Sequence, residues 1–306
     1  MKQPVLPADP TAPPPPVVPR GGSRTWTGAP PPVLPRPDAA GRVRAAVRGA
    51  ALGGLCLLTF AALSVARLVD RPGGLRPRIV RWSCRQALRC LGIGFGTTGA
   101  PAPDGPHAVV ANHASWLDIL ALGAFAPVTF VAKEEVRTWA GLGPMVAAAG
   151  TMFIRREARD ARAQAERLRA RLVAGERLLF FPEGTSTDGR RVLPFRTTLF
   201  EALRGGAEFV RPVTVAWHAP DGADPAFYGW WGGMDLGPHL LAVLSAPRQG
   251  RVEVIAHPAL AVAGHPDRKA LARAAERAVR SGLPGGKAGG AAPGPPEYFG
   301  HDEGAG

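Results

Sequence analysis

H-A-V-V-A-N-H-A-S-W-L-D, His107 to Asp118, begins with a short apolar run, turns through Asn112 and His113, and leads into I-L-A-L-G-A-F. The first run reads as a buried strand and the second as the start of a helix, so the stretch is a strand-to-helix turn. His113 and Asp118 stand five positions apart across it. Two readings compete. Ser115 followed three residues later by Asp118, ahead of an apolar run, is a capping-box signature and needs no chemistry. The same spacing brings an imidazole and a carboxylate to one turn, as a general base requires.

Outward from this turn the pattern repeats. Short apolar runs at Val128–Ala132, Thr151–Ile154, Arg177–Phe181, Phe209–Trp217 and Arg251–His257 are separated by helical stretches. The clearest helix is Ala158–Ala174, where Ala161, Ala165, Leu168 and Leu172 form one stripe and Gly175 closes it. The alternation predicts an α/β domain over residues 99–280, a mostly parallel sheet flanked by helices.

An N-terminal membrane-associated helical segment is predicted ahead of that domain, over residues 41–98. Gly49 to Ala66 holds 18 residues without a charge. As a helix it is about 27 Å long, against a hydrocarbon core of about 30 Å. Arginines flank it: Arg42, Arg44 and Arg48 before, then Arg67, Arg71, Arg76 and Arg78 after. Their bias to the far side places the body in the cytoplasm, at the inner membrane. Residues 78–91 read as an amphipathic helix. Arg78, Arg81, Arg85 and Arg89 take one face; Val80, Cys84, Ala87 and Leu91 take the other, with Trp82 beside them. Such a helix suits a membrane interface; a solvated arginine face on an ordinary packed helix is the alternative. Residues 1–40 hold 13 of the chain's 33 prolines and read as a disordered leader without a secretory signal. The Gly/Pro-rich residues 281–306 read as a disordered tail.

The formal charge of +13 is uneven. Through Ala100 there are 14 Lys and Arg against 3 Asp and Glu, so the remaining two thirds carry only about +2. Basicity confined to one region points to an anionic membrane surface. Nucleic acid is excluded by the lack of zinc-ligand spacing, a recognition helix or an aromatic RNA-binding signature. Cys56, Cys84 and Cys90 form no disulfide framework and read as packing residues.

No G-x-S-x-G elbow, phosphate-binding P-loop or G-x-G-x-x-G fingerprint is present, and no Cys, His, Asp and Glu cluster has metal spacing. These absences count against serine hydrolases, nucleotidases, dinucleotide enzymes and a metal site. A second loop is present instead: F-F-P-E-G-T-S-T-D-G, Phe180–Gly189. In α/β sheets ligands bind beyond the carboxyl ends of strands. Three predicted strand ends carry polar groups: His113 with Asp118; Arg155 with Arg156; and Glu183, Gly184 and Thr185. Sharing one edge, they offer a base, an anion clamp and hydroxyl-binding groups. Alternation points one of Arg155 and Arg156 inward without saying which. Lys133, in F-V-A-K-E-E, is a further candidate anion contact.

Asn112-His113-x4-Asp118, Phe153-Ile154 with Arg155 or Arg156, Phe181-Pro182-Glu183-Gly184-Thr185, and Val210-Arg211-Pro212-Val213 resemble the four ordered blocks of the glycerolipid acyltransferases. Bacterial 1-acyl-sn-glycerol-3-phosphate acyltransferases give the nearest likeness. R-V-L-P-F-R-T-T-L-F (Arg191–Phe200) and Y-G-W-W-G-G-M-D-L (Tyr228–Leu236) also resemble a bacterial subgroup that includes lyso-ornithine lipid acyltransferases. The resemblance implies direct acyl transfer, with His113 as general base and Asp118 orienting it. It implies that Arg155 or Arg156, Glu183, Gly184 and Thr185 bind the acceptor. The acyl group would come from acyl-CoA or acyl carrier protein as co-substrate, with no cofactor. The expected acceptor is 1-acyl-sn-glycerol-3-phosphate, giving phosphatidate; the alternative acceptor is lyso-ornithine lipid. An anionic-lipid-binding membrane module without catalysis is the reading from another class.

Overall fold

The computed structural model describes residues 26–68, 74–139, 142–155 and 161–284. Two helices lead. Helix α1 (Ala39–Ala66) is capped by Asp38, whose carboxylate accepts the Gly41 N–H at 2.6 Å. At 28 residues it is about 42 Å long and can cross a bilayer. Its apolar stretch is mostly uncovered: Leu57 is 74% exposed and Val65 66%. One stripe, Thr59, Leu63 and Ala66, is buried. There Thr59 Oγ1 donates to Ser83 Oγ of α2 (Leu75–Leu91) at 2.8 Å.

Helix α2 departs from the expected interfacial helix. Its apolar residues Cys84, Ala87, Leu88 and Leu91 are buried, with Cys84, Leu88 and Leu91 in the protein core. Arg81 and Arg85 donate through Nε to the Ala124 carbonyl, at 3.4 and 3.0 Å, in the last turn of α3 (Asp118–Phe125). Likewise Arg44 and Arg48 of α1 donate to the carbonyls of Ser245, Leu244 and Ala246 at the end of α7 (Leu236–Ser245). A guanidinium there satisfies carbonyls that lack an intrahelical partner and meets the negative end of the helix dipole. These arginines fasten helices to one another. Trp82 remains exposed.

The leader is also shorter than expected. Trp26 is buried with Leu193, Ala226 and Trp231, and its N–H donates to Thr185 Oγ1 at 3.1 Å. Trp231 Nε1 donates to the Ala29 carbonyl at 3.0 Å. Residues just before α1 therefore form a strap against the body, and 1–25 lie outside the described residues.

The body is an eight-stranded sheet: β1 (Gly94–Gly99), β2 (His107–Ala111), β3 (Thr129–Lys133), β4 (Met152–Ile154), β5 (Leu178–Phe180), β6 (Phe209–His218), β7 (Arg251–Ala256) and β8 (Leu260–Ala261). The strand order is β1-β7-β6-β2-β5-β3-β4, with β8 on β6. From β6 to β4 all pairings are parallel; β7 and β8 run antiparallel to β6. The sheet thus starts at residue 94 and not at 99. Helix α8 (Arg268–Ser281) ends in the expected tail, and Leu283 beyond it is buried. Helix α5 (Ala161–Val173) lies within the predicted Ala158–Ala174, of which 158–160 are outside the described residues.

Alternation along β2 divides the core. Val109 and Ala111 face a layer with Leu117, just before α3, and Ala121 and Leu122 of α3; Ala108 and Val110 face a layer with Leu168 and Leu172 of α5, and Phe200 of α6 (Thr198–Leu203). The chain leaves β2 for α3 on one face, and leaves neighbouring β5 for α6 on the other. That divergence opens a crevice at the carboxyl ends of β2 and β5, a topological switch point.

Candidate active site

The loop after β2 is fixed before it presents any chemistry. Asn112 continues the β2–β6 ladder with its side chain: Nδ2 donates to the Val215 carbonyl at 3.0 Å and Oδ1 accepts the Val215 N–H at 2.8 Å. His113 follows, with both backbone groups held by the loop after β5. Its N–H donates to Glu183 Oε1 at 2.7 Å and its carbonyl accepts the Thr187 N–H at 2.9 Å. The imidazole stacks on Phe181, with ring centres 4.0 Å apart and planes 16° apart.

Asp118 is fully buried and accepts four donors. Oδ2 takes His113 Nδ1 at 2.8 Å and the N–H groups of Ala114 and Ser115 at 2.7 and 2.9 Å. Oδ1 takes Trp217 Nε1 at 2.7 Å. With Nδ1–H donating, His113 Nε2 keeps its lone pair. No described residue hydrogen-bonds to Nε2. The side chain is 23% exposed, so this nitrogen is open to substrate. Both opening readings of the turn hold in part: Asp118 reaches back to the Ser115 N–H as in a capping box, and the same oxygen holds the imidazole.

Glu183 and Thr185 are both engaged by protein partners. Both Glu183 oxygens are taken by backbone donors, His113 N–H and the Leu193 N–H, each at 2.7 Å, and the side chain is buried. Burial pushes its carboxyl up to about 8, against the pull of those two donors. Glu183 therefore positions His113. Thr185 Oγ1 accepts from Trp26 and donates to the Ser186 carbonyl, which makes Thr185 the strap's anchor. Gly184 has φ +75°, a left-handed conformation that favours glycine.

Of the predicted anion clamp only Arg155 is among the described residues. Arg155 is exposed at the end of β4, the outermost strand, separated from β5 by β3. Arg156 lies outside the described residues. Lys133 is half-buried at the end of β3, paired in register with Ile154. Among the described residues no three His, Cys, Asp or Glu side chains gather as a metal would need.

Three contributors escaped the sequence reading. Trp217 completes the Asp118 shell, and Trp230 donates its N–H to the Ala114 carbonyl at 2.8 Å. His239 holds Trp116, whose Nε1 donates to Nδ1 at 3.0 Å, while Nε2 faces the Phe227 carbonyl at 3.2 Å. Burial lowers the His239 pKa to about 4. Asn112 was visible beside His113, but its ladder-extending role depends on a strand over 100 residues away.

An oriented imidazole with an open Nε2 can accept a proton from a hydroxyl. Residues 97–216 match the acyltransferase family. A lyso-ornithine lipid O-acyltransferase of Rhodobacter capsulatus is 48% identical over 84% of this chain and 96% of its own length. The chain belongs to the acyltransferase family. A Pseudomonas aeruginosa protein of the same name is 38% identical over 79% of this acyltransferase and 94% of its own length. A 1-acyl-sn-glycerol-3-phosphate acyltransferase of Neisseria gonorrhoeae is 42% identical over 40% of this acyltransferase and 49% of its own length. Similarity along nearly the full length thus falls on relatives named for the alternative acceptor, while the relative named for the first expected acceptor matches over about half of its length.

Proposed function

We propose that this acyltransferase transfers an acyl chain to the free hydroxyl of a lyso-ornithine lipid. The observation that carries the reading is the 48% identity to the Rhodobacter capsulatus protein along 96% of that protein. His113 Nε2 takes the hydroxyl proton as the oxygen attacks the thioester carbon of acyl-CoA or acyl carrier protein. The new C–O bond forms, the C–S bond breaks, and the imidazolium returns the proton to the leaving thiolate. Asp118 stabilises the imidazolium between these steps. General-base assistance of this kind contributes about 10²–10⁴-fold. No acyl-enzyme is required, in keeping with the missing nucleophile elbow.

The acceptor lies in a bilayer and the donor arrives from water. The exposed apolar length of α1 supports attachment at that boundary. The catalytic domain then faces the cytoplasm at the inner membrane, following the arginine bias around the apolar stretch. The decisive experiment supplies purified protein with a labelled acyl donor and either lyso-ornithine lipid or lysophosphatidate. Preference for the ornithine acceptor is expected; preference for lysophosphatidate overturns the reading.

A further inference from the structure

The loop from Pro182 to Arg196 closes on itself. The Arg196 N–H donates to the Pro182 carbonyl at 2.9 Å, and the Leu193 N–H reaches Glu183. This closure lays the Arg196 side chain on Gly184: a Cβ built at Gly184 would stand 2.8 Å from Nε and 3.0 Å from Cζ. The guanidinium can occupy that place only because residue 184 has no side chain. Gly184 in turn sits between Glu183 and Thr187, the two residues that hold the His113 backbone.

The loop's arginines differ in their partners. Arg191 pairs with buried Asp188 through Nε and a second nitrogen, at 3.2 and 3.0 Å, and lies 5.0 Å over the Trp26 ring. Its charge is used internally. Arg196 is exposed, and its guanidinium has no hydrogen bond or ion pair with a described residue. A cation of that kind, lying over Gly184 in the loop that holds the His113 backbone, can form two parallel N–H···O bonds to a carboxylate or phosphate.

We propose that Arg196 binds the anionic head group of the acceptor and sets its distance from His113. This rests on the lysolipid-acyltransferase reading and adds Arg196 to the anion contacts expected of Arg155 or Arg156. Under the ornithine reading the bound group is the ornithine carboxylate; lysophosphatidate would present a phosphate to the same fork.

The test uses the full-length protein in mixed micelles. Wild type, Arg196→Ala, Arg196→Lys and Arg155→Ala are compared on whichever acceptor wild type prefers, and on an analogue that lacks its anionic group. The analogue is the methyl ester of the ornithine lipid, or monoacylglycerol in place of lysophosphatidate. Losing a charged hydrogen-bond pair raises KM by about 10-fold or more. Arg196→Ala is expected to show that rise for the acceptor with the anionic group, with donor KM and the rate on the analogue lacking it unchanged. Arg196→Lys is expected to fall between, and Arg155→Ala to match wild type. An unchanged acceptor KM in Arg196→Ala, or an equal loss on both acceptors, overturns the proposal. Should Arg196→Ala fail to fold, Arg196→Lys decides, because it keeps the charge and loses the fork. A wild-type preference for lysophosphatidate would overturn the ornithine reading alone.

Discussion

Asp118 and Arg155 both follow sheet strands and both came to attention as polar residues at strand ends. Asp118 stands beyond β2, with β6 on one side and β5 on the other. It is fully buried and receives donors from its own loop and from Trp217 of β6. Arg155 stands beyond β4, which has a single neighbour, and is exposed. A strand end in the middle of a sheet can be walled on two sides, so its polar groups are dried, satisfied and aimed. An edge strand leaves its terminal side chain in water, where a charge is screened and free to move. Position in the strand order separates a site residue from a surface residue of similar sequence context.

The largest effect expected from this contrast is at Asp118. Asp118→Asn removes the charge that stabilises the imidazolium and places an amide among four donors. Activity should fall on the order of 10²–10⁴-fold. Stability should fall by about 1–3 kcal/mol for a buried donor left unpaired. Turnover and urea unfolding measure both, and a loss under about 10-fold would dissolve the distinction drawn for the central strands.

A smaller effect comes through His239, which buttresses Trp116 inside the central loop. Its pKa is about 4 in the fold, below the ordinary 6.5. The unfolded chain therefore binds more protons between those values, so stability is present above about pH 6.5 and declines as pH falls toward 4. The protonated ring loses the lone pair that accepts from Trp116. At 1.36 kcal/mol per unit the loss reaches about 3 kcal/mol. Unfolding curves from pH 7.5 down to 4 should show that decline in wild type and a flatter profile in His239→Gln; equal slopes would exclude His239 as its source.

The smallest effect belongs to the edge. Arg155→Ala should change stability by less than about 0.5 kcal/mol, the range of surface substitutions. Its thermal midpoint is the measurement. A clear drop would give the β4 end a structural role that its exposure denies it.

The alternation of runs exposed most of the sheet, because apolar strands and an amphipathic helix carry local periodicity. Strand β1 was missed: Gly94, Gly96 and Gly99 weaken any strand pattern, and it forms by pairing with β7, more than 150 residues later. At the site, His113 and Asp118 were legible since both lie in one turn. The work of Glu183 was not, for its partners are backbone groups that composition does not reveal. Arg196 was within a quoted stretch, yet its place over Gly184 follows from loop closure. Arg81 and Arg85 of α2 did not show their capping role, because an arginine that caps a helix and one that faces a membrane have the same sequence signature.

Helix α1 is bonded to α7 by Arg44 and Arg48, and to α2 by Thr59 and Ser83. The strap before it is pinned to the Thr185 loop. A flexible tether would let the catalytic domain wander over a distance that grows with the square root of its length. This anchor has no such slack. The height of His113 along the α1 axis is a fixed dimension of the fold, so a bilayer that held α1 would meet His113 at one set depth.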